Sequence, residues 1–418
     1  MRYRLYIEIE YLIALSHEKQ IKDLPVFSKD EQARLRRMYQ GFNDVGAKKI
    51  KTIETTTNHD VKAIEYYIQG KIKKSLHPWV HFALTSEDVN NLAYSLMWQH
   101  GLKQIYLTKL MSVFKKLRTM AKKYKSTPML ALTHGQPATP TTFGKEMAVF
   151  RRRLNRQATI LKEQRLQGKI SGATGSWAAH TVAYPKIDWI RFSERLVKRF
   201  GLDPSPVTTQ IEPHDSLAES YHIIARINSI LIDFTQDMWL YISRTILGQK
   251  KISGETGSST MPHKINPIYF ENAEGNCGLA NALLNHLANK LTVSRMQRDL
   301  SGSTVVRNQG VALGHSFVGL NNLMKGVDRI TINQENMGVE LDKHWEVLVE
   351  AIQTIMRKNG IPDAYNKMKN LTRGNYLDRA TIHKLISDLD ITTDDKNILL
   401  KLTPADYTGL ANKLAKLK

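Results

Sequence analysis

Between Ser216 and Leu247 the chain contains neither glycine nor proline, and between Ser86 and Lys125 it contains only Gly101. Within these stretches the apolar residues step by three and four. Leu110, Val113, Leu117 and Met120 form one such series, and Ile227, Leu231, Phe234, Met238 and Tyr241 form another. Side chains three and four residues apart share a helix face, so each series predicts one apolar stripe. Helices of about 30 residues exceed the usual globular length and point to a long bundle. Alternating strand patterns are scarce, so the expected fold class is all-α. The interruptions are short and rich in Gly, Pro and Thr: "STP" and "THGQPATPTT" within 126–142, "GKISGATGSWAAH" at 168–180, "DPSPVTTQIEPHD" at 203–215 and "SGETGSSTMPHKINP" at 253–267. Three helical domains are expected, at 1–74, 75–333 and 334–418.

Composition narrows the class of protein. A chain of 418 residues can hold several domains with a sizeable core. No run of about 18 apolar residues occurs, so no transmembrane helix is expected. The opening segment, "MRYRLYIEIEYLIALSH", places arginines before apolar residues. Glu8 and Glu10 interrupt the apolar part and no small-residue cleavage site follows, so it is not read as a signal peptide. Cys277 is the only cysteine, which excludes an internal disulfide and any cysteine-based metal cluster. A cytoplasmic location is the simplest reading. The net charge of +21 fits an anionic partner, but the basic residues are spread along the whole chain. Charge alone therefore gives no argument for nucleic acid, and none is expected as a partner.

The histidines offer one metal-like spacing, His77 and His81, and Pro78 between them argues against a regular helix there. No glycine loop of the dinucleotide or P-loop type occurs, so a reaction without cofactor or metal is expected. The 253–267 loop carries Ser258, Ser259, Lys264 and Asn266, and Pro267 opens a helix. A serine becomes a base or nucleophile only where cations and N–H donors stabilise its alkoxide, and Lys264 and the helix start can supply that field. The plain alternative is a flexible surface linker with a capping serine. His134 follows Thr133, which can orient it, and histidine is the side chain best suited to trade protons near neutral pH; a turn histidine bonded to backbone is the alternative. Asn58, His59 and Asp60 can cap the following helix, and Thr85 with Ser86 stands at the start of the long one. Such helix starts also bind carboxylate and phosphate. Arg298, Ser303 and Arg307 can form an anion clamp or a solvated basic face.

Taken together, these motifs carry a resemblance. "GSSTMPHKINP" is similar to the signature loop of the fumarase/aspartase superfamily. "IKTIETTTNHDVKAIEYYI", "HFALTSEDVNNLAYSLM", "THGQPATPTTFGKEMA", "TTQIEPHD" and "FENAEGN" resemble the bacterial adenylosuccinate lyase family within it, over essentially the whole chain. The resemblance implies β-elimination of fumarate from adenylosuccinate, giving AMP, and from SAICAR, giving AICAR. It implies Ser258 as general base and His134 as general acid. It assigns substrate binding to Asn58, His59, Asp60, Thr85, Ser86, Gln210, Ser259, Lys264, Asn266, Arg298, Ser303 and Arg307. It also implies a homotetramer whose long central helices form a shared bundle, with active sites built from several subunits. Family members carry a few dozen residues ahead of the position matching Met1, including a Gly-Arg-Tyr segment that contacts the nucleotide. A second expectation is therefore a truncated, catalytically impaired homologue with a structural or binding role. Gly302 stands where the family pattern has Asp, and Ser171 near where it has Asn.

Overall fold

The computed structural model describes residues 1–255, 257, 260–373 and 377–417. Helices dominate it, as the periodicity requires. The glycine-free and proline-free stretch forms one helix, Asp215–Ser243, of 29 residues. Helices Phe143–Glu163, Ile268–Leu291 and Gln309–Arg329 are nearly as long. The stretch from Ser86 is helical to Lys123, but it passes through a π-helical turn at Gly101–Tyr106 between helices Ser86–His100 and Leu107–Lys123. That turn begins at the one glycine of the stretch, where the helix gains least from its residue's intrinsic preference.

The chain divides into two compact units. The first comprises residues 1–108, 159–226 and 279–316. Here helix Arg2–Ser16 is buried along most of its length, with Leu5, Ile9, Tyr11 and Leu15 fully enclosed. It packs on helices Lys29–Gln40, Asp60–Gln69 and Ser86–His100. Trp98 and Tyr221 meet edge to face with ring centroids 4.8 Å apart, and the Trp98 indole N–H donates to Ser220 at 2.7 Å. His77 and His81 do not share a helix face. Pro78 lies in the short 3-10 helix Lys74–Trp79, and His81 beyond it has a φ of 60° and a ring bond to Glu8 at 2.6 Å.

The second unit comprises residues 109–158, 227–278 and 317–418. Both predicted apolar stripes lie in it. Leu110, Val113, Leu117, Met120, Ile227, Leu231, Phe234 and Met238 are buried, and Tyr241 is half-buried with its ring against Phe143. A further core joins Trp345, Leu348, Ile352, Met368, Ile382 and Leu399 from the last part of the chain with Leu130.

The expected loop at 126–142 is instead a β-hairpin. Strands Pro128–Thr133 and Gln136–Thr142 pair antiparallel, with Thr133 opposite Gln136. Its two-residue turn is His134–Gly135, with φ of 54° and 73°. Positive φ at both central residues matches the right-handed twist of the strands, which is why two-residue hairpins favour it. Prolines 128, 137 and 140 hid the hairpin, and a lone two-stranded ribbon tolerates them because each strand has a free edge. Two other two-stranded pairs occur, Gln167–Gly168 with Asp203–Pro204 and Leu247–Gln249 with Ile330–Ile332.

Candidate active site

In the first unit, a cavity of about 530 Å³ collects residues from four separate motifs. That volume suits a small-molecule ligand. Asn58 ends helix Asp44–Thr57 in the left-handed conformation, with φ of 47°. It thus terminates the preceding helix, whereas the sequence suggested a cap for the next one. His59 is the cap of helix Asp60–Gln69, and its Nδ1 accepts the Lys62 N–H at 3.2 Å. The Asp60 carboxylate is gripped by Arg4 at 2.9 Å and approached by Arg307 at 3.7 Å. Thr85 caps helix Ser86–His100, and its N–H donates to Asp88 at 2.9 Å. The Ser86 hydroxyl lies 3.5 Å from His59 Nε2.

The far side of the cavity comes from residues 210–214 and 291–307. Gln210 bridges two elements: its amide donates to the Ala173 carbonyl at 2.7 Å, and its oxygen accepts from Arg298 at 2.8 Å. Arg298 also stands 3.6 Å from Glu87. The Ser303 hydroxyl donates to the Leu300 carbonyl at 2.9 Å. Asp299 is spent on its own turn: hydrogen bonds from the Ser301 hydroxyl and from the N–H groups of Arg295 and Ser301 hold its carboxyl well below the usual range. Three arginines, His59 and the start of a long helix thus surround one hollow. Such a set holds phosphate or carboxylate through charge and N–H donors.

The wall that carries Ser86 is fixed from behind. The Asp88 side chain is fully buried and meets the fully buried Lys169 ammonium at 2.9 Å. It also accepts the N–H groups of Ser171 at 2.9 Å and Gly172 at 3.1 Å. One carboxylate therefore ties the start of helix Ser86–His100 to the 169–172 segment.

Of the predicted binding residues, Asn58, His59, Asp60, Ser86, Gln210, Arg298, Ser303 and Arg307 line this cavity, and Thr85 caps the helix that forms its wall. Sequence reasoning missed Arg4, Glu87, Asn90 and His214, which also line it. Arg4 is an ordinary basic residue of the first helix until its Nε is seen to donate to Asn90 at 2.7 Å. Asn90 sits four residues past Ser86 on one helix face, a spacing that could have flagged it.

The remaining predicted residues belong to the second unit. Ser258 and Ser259 lie outside the described residues. Near them, the Asn266 amide donates to the Gly257 carbonyl at 3.1 Å, and Gln249 donates to the Ile265 carbonyl at 2.7 Å. Glu255 receives both terminal nitrogens of Arg329 at 2.6 Å. Lys264 is exposed, and Ile268 begins the helix that follows Pro267. His134 is exposed at the tip of its hairpin, and no bond from Thr133 orients its ring among the described residues.

Comparison with known proteins bears on the family and the fold. A family model described as lyase matches residues 2–280, and one described as adenylosuccinate lyase C-terminal matches residues 294–408. The chain is 47% identical over 419 residues to an adenylosuccinate lyase of Legionella pneumophila subsp. pneumophila, spanning 99% of this chain and 92% of that one. It is 46% identical over 416 residues to an adenylosuccinate lyase of Escherichia coli strain K12, spanning 98% and 91%. Two solved structures share its fold, each with a TM-score of 0.77 over 99% of this chain. One is a 3-carboxy-cis,cis-muconate lactonizing enzyme from Pseudomonas putida, 21% identical with 93% of its length covered; the other is a fumarate lyase from Mesorhizobium sp. BNC1, 16% identical with 94% covered.

Proposed function

The chain belongs to the adenylosuccinate lyase family, and we propose that it eliminates fumarate from adenylosuccinate to leave AMP and from SAICAR to leave AICAR. The observation that carries this reading is the cavity of the first unit, where motifs far apart in sequence meet around three arginines and a helix start. Both substrates bear a phosphate and two carboxylates, and the arginines and helix start of this lining offer donors to them, alongside the acids Glu54, Asp60, Glu87 and Asp299. Arg298, Ser303 and Arg307 hold the phosphate. Arg307 suits the task, since its side chain is 62% exposed beside Asp60.

In the elimination, a base takes a proton from Cβ of the succinyl group, and the electron pair spreads into the adjacent carboxylate. The C–N bond then breaks, and an acid protonates the departing nitrogen. Ser258 is the base and His134 the acid. Lys264 and Asn266 hold the carboxylate that gains charge, with Ser259 beside the base. A donor pre-positioned for a charge that grows in the transition state stabilises that state more than the ground state. No step asks for a metal or a redox carrier. Among the described residues no helix is long and apolar enough to cross a membrane. The enzyme acts in the cytoplasm in purine nucleotide synthesis. It works as a homotetramer whose active sites draw residues from more than one copy, so an exposed hairpin tip is where a general acid shared between copies belongs.

The test is fumarate release from adenylosuccinate by the purified chain, followed by ultraviolet absorbance. Turnover is expected, with loss of several orders of magnitude in Ser258→Ala and His134→Ala. A folded chain that binds AMP but releases no fumarate from either substrate overturns the reading.

A further inference from the structure

We propose that Glu87 is a specificity-determining residue of the cavity, a carboxylate that accepts hydrogen bonds from the ribose hydroxyls of the nucleotide. The inference rests on the lyase reading of the same site and adds to it a residue and a recognised group.

Glu87 follows Ser86 in the first turn of its helix and lines the cavity, and only 7% of it is exposed. Neither of its carboxylate oxygens is among the fully enclosed unpartnered atoms, so they remain open to the cavity, where a ligand can supply their donors. The other acids that line the cavity have partners within the chain. Asp60 has Arg4, Asp299 has its Ser301 and Arg295 donors, and Glu54 has Lys51 at 2.9 Å. Glu87 differs. Among the described residues no N–H or O–H donates to its carboxylate, and its nearest cation, Arg298, stands at 3.6 Å. Arg298 spends a shorter bond on Gln210 instead. Burial raises the Glu87 carboxyl above its ordinary value, opposed by His214, Arg298 and Lys169.

A carboxylate so placed repels the anionic parts of a ligand and selects for neutral O–H donors. Both proposed substrates have phosphate and succinyl carboxylates at their ends and ribose hydroxyls between them. They differ in the base, so a contact that serves both belongs on what they share. A carboxylate on ribose hydroxyls is also the device that dinucleotide-binding folds use. Glu87 then gains its missing donors only when the nucleotide is bound.

The experiment measures binding of AMP, 2′-deoxy-AMP and 3′-deoxy-AMP to the full chain by calorimetry, for wild type, Glu87→Gln and Glu87→Ala. Fumarate release from adenylosuccinate is measured in parallel. A hydrogen bond to a charged acceptor corresponds to about a 10- to 100-fold effect on affinity. Wild type is expected to bind AMP that much more tightly than at least one deoxy analogue. In Glu87→Ala the preference is expected to collapse to about twofold, with AMP weakened and the deoxy analogue unchanged. Glu87→Gln keeps the shape and is expected to lie between. Should Glu87→Ala not fold, the wild-type preference and Glu87→Gln still decide. Equal binding of all three ligands to wild type, or an unchanged preference in Glu87→Gln and Glu87→Ala, overturns the proposal while leaving the lyase reading intact. A wild type that binds no AMP and releases no fumarate overturns both.

Discussion

Removing either member of the buried Asp88–Lys169 pair should destabilise the protein, and by unequal amounts. The asymmetry follows from what each partner keeps. After Asp88→Asn, the fully buried Lys169 ammonium loses its counter-charge and keeps only neutral acceptors, the Gly172 carbonyl at 3.3 Å and the new amide oxygen. Breaking a buried pair so as to strand a charge costs about 3–5 kcal/mol. After Lys169→Met, the Asp88 carboxylate still accepts the N–H groups of Thr85, Ser171 and Gly172, all within 3.1 Å. It also stays at the positive end of a helix, and hydrogen bonds to a charge contribute about 1.5–3 kcal/mol each. The net loss should therefore be about 1–2 kcal/mol. For a unit of this size, about 2–4 °C of melting temperature accompanies each kcal/mol. Asp88→Asn should then melt about 10 °C lower and Lys169→Met about 5 °C lower, followed by circular dichroism at fixed protein concentration. The double variant should lose less than the two single losses combined, because it strands no charge. Because Asp88 ties Thr85 to the 171–172 backbone, the Asp88→Asn enzyme should also show a raised KM. Equal melting temperatures for the two single variants, or a lower one for Lys169→Met, would refute the argument.

Three other outcomes are expected. Ser258→Ala and His134→Ala, each expected to be inactive alone, should regain part of the activity when their subunits are mixed, as measured by fumarate release; no recovery after verified subunit exchange removes the shared-site proposal. Gly175 has a φ of 83°, and a Cβ there would lie 2.1 Å from the Thr208 carbonyl oxygen, so Gly175→Ala should lower the melting temperature by the equivalent of at least about 1 kcal/mol. An unchanged melting temperature would show that this close approach relaxes freely. Burial opposes the charged form of His81, but Glu8 at 2.6 Å and Glu65 outweigh it and raise the ring above its usual 6.5. The protonated ring thus binds its proton more tightly when folded, so its stabilisation is complete below about pH 6.5 and is lost as pH climbs through the raised folded value. The difference in melting temperature between wild type and His81→Gln should shrink from pH 6 to pH 9, and a constant difference would count against the pairing.

What the sequence disclosed depended on how local its cause was. The long helices were legible because their apolar stripes need only a period, and Leu110 to Met120 are buried as that period requires. The hairpin at 128–142 was not, because three prolines erase the alternation of a strand and its definition comes from the His134–Gly135 turn. In the cavity, residues inside a recognisable motif were found. Arg4 was missed because nothing on its own helix marks it. Only its reach to Asp60 and Asn90, residues far along the chain, makes it part of the site. Glu87 was missed for the opposite reason, since an acid in the first turn of a helix is common on dipole grounds alone and marks no site by itself.

For His59 the sequence reading asks a helix cap to hold a ligand as well, and the ring's two nitrogens are placed for both tasks. A neutral imidazole has one N–H and one acceptor nitrogen. The Lys62 N–H donates to Nδ1, so the ring proton resides on Nε2. That nitrogen lies 3.5 Å from the Ser86 hydroxyl, at the wall of the cavity. The cap therefore fixes the tautomer that presents a donor to an anionic ligand, and the two roles separate by substitution. His59→Asn keeps a side-chain oxygen suited to the cap but has no group in place of Nε2. It should melt within a degree or two of wild type and still show a raised KM for adenylosuccinate. His59→Ala loses both roles and should in addition lose about 1 kcal/mol of stability. If His59→Asn kept the wild-type KM, the ring would be a cap and nothing more; if it lost as much stability as His59→Ala, the cap would depend on the imidazole itself and the tautomer argument would fail with it.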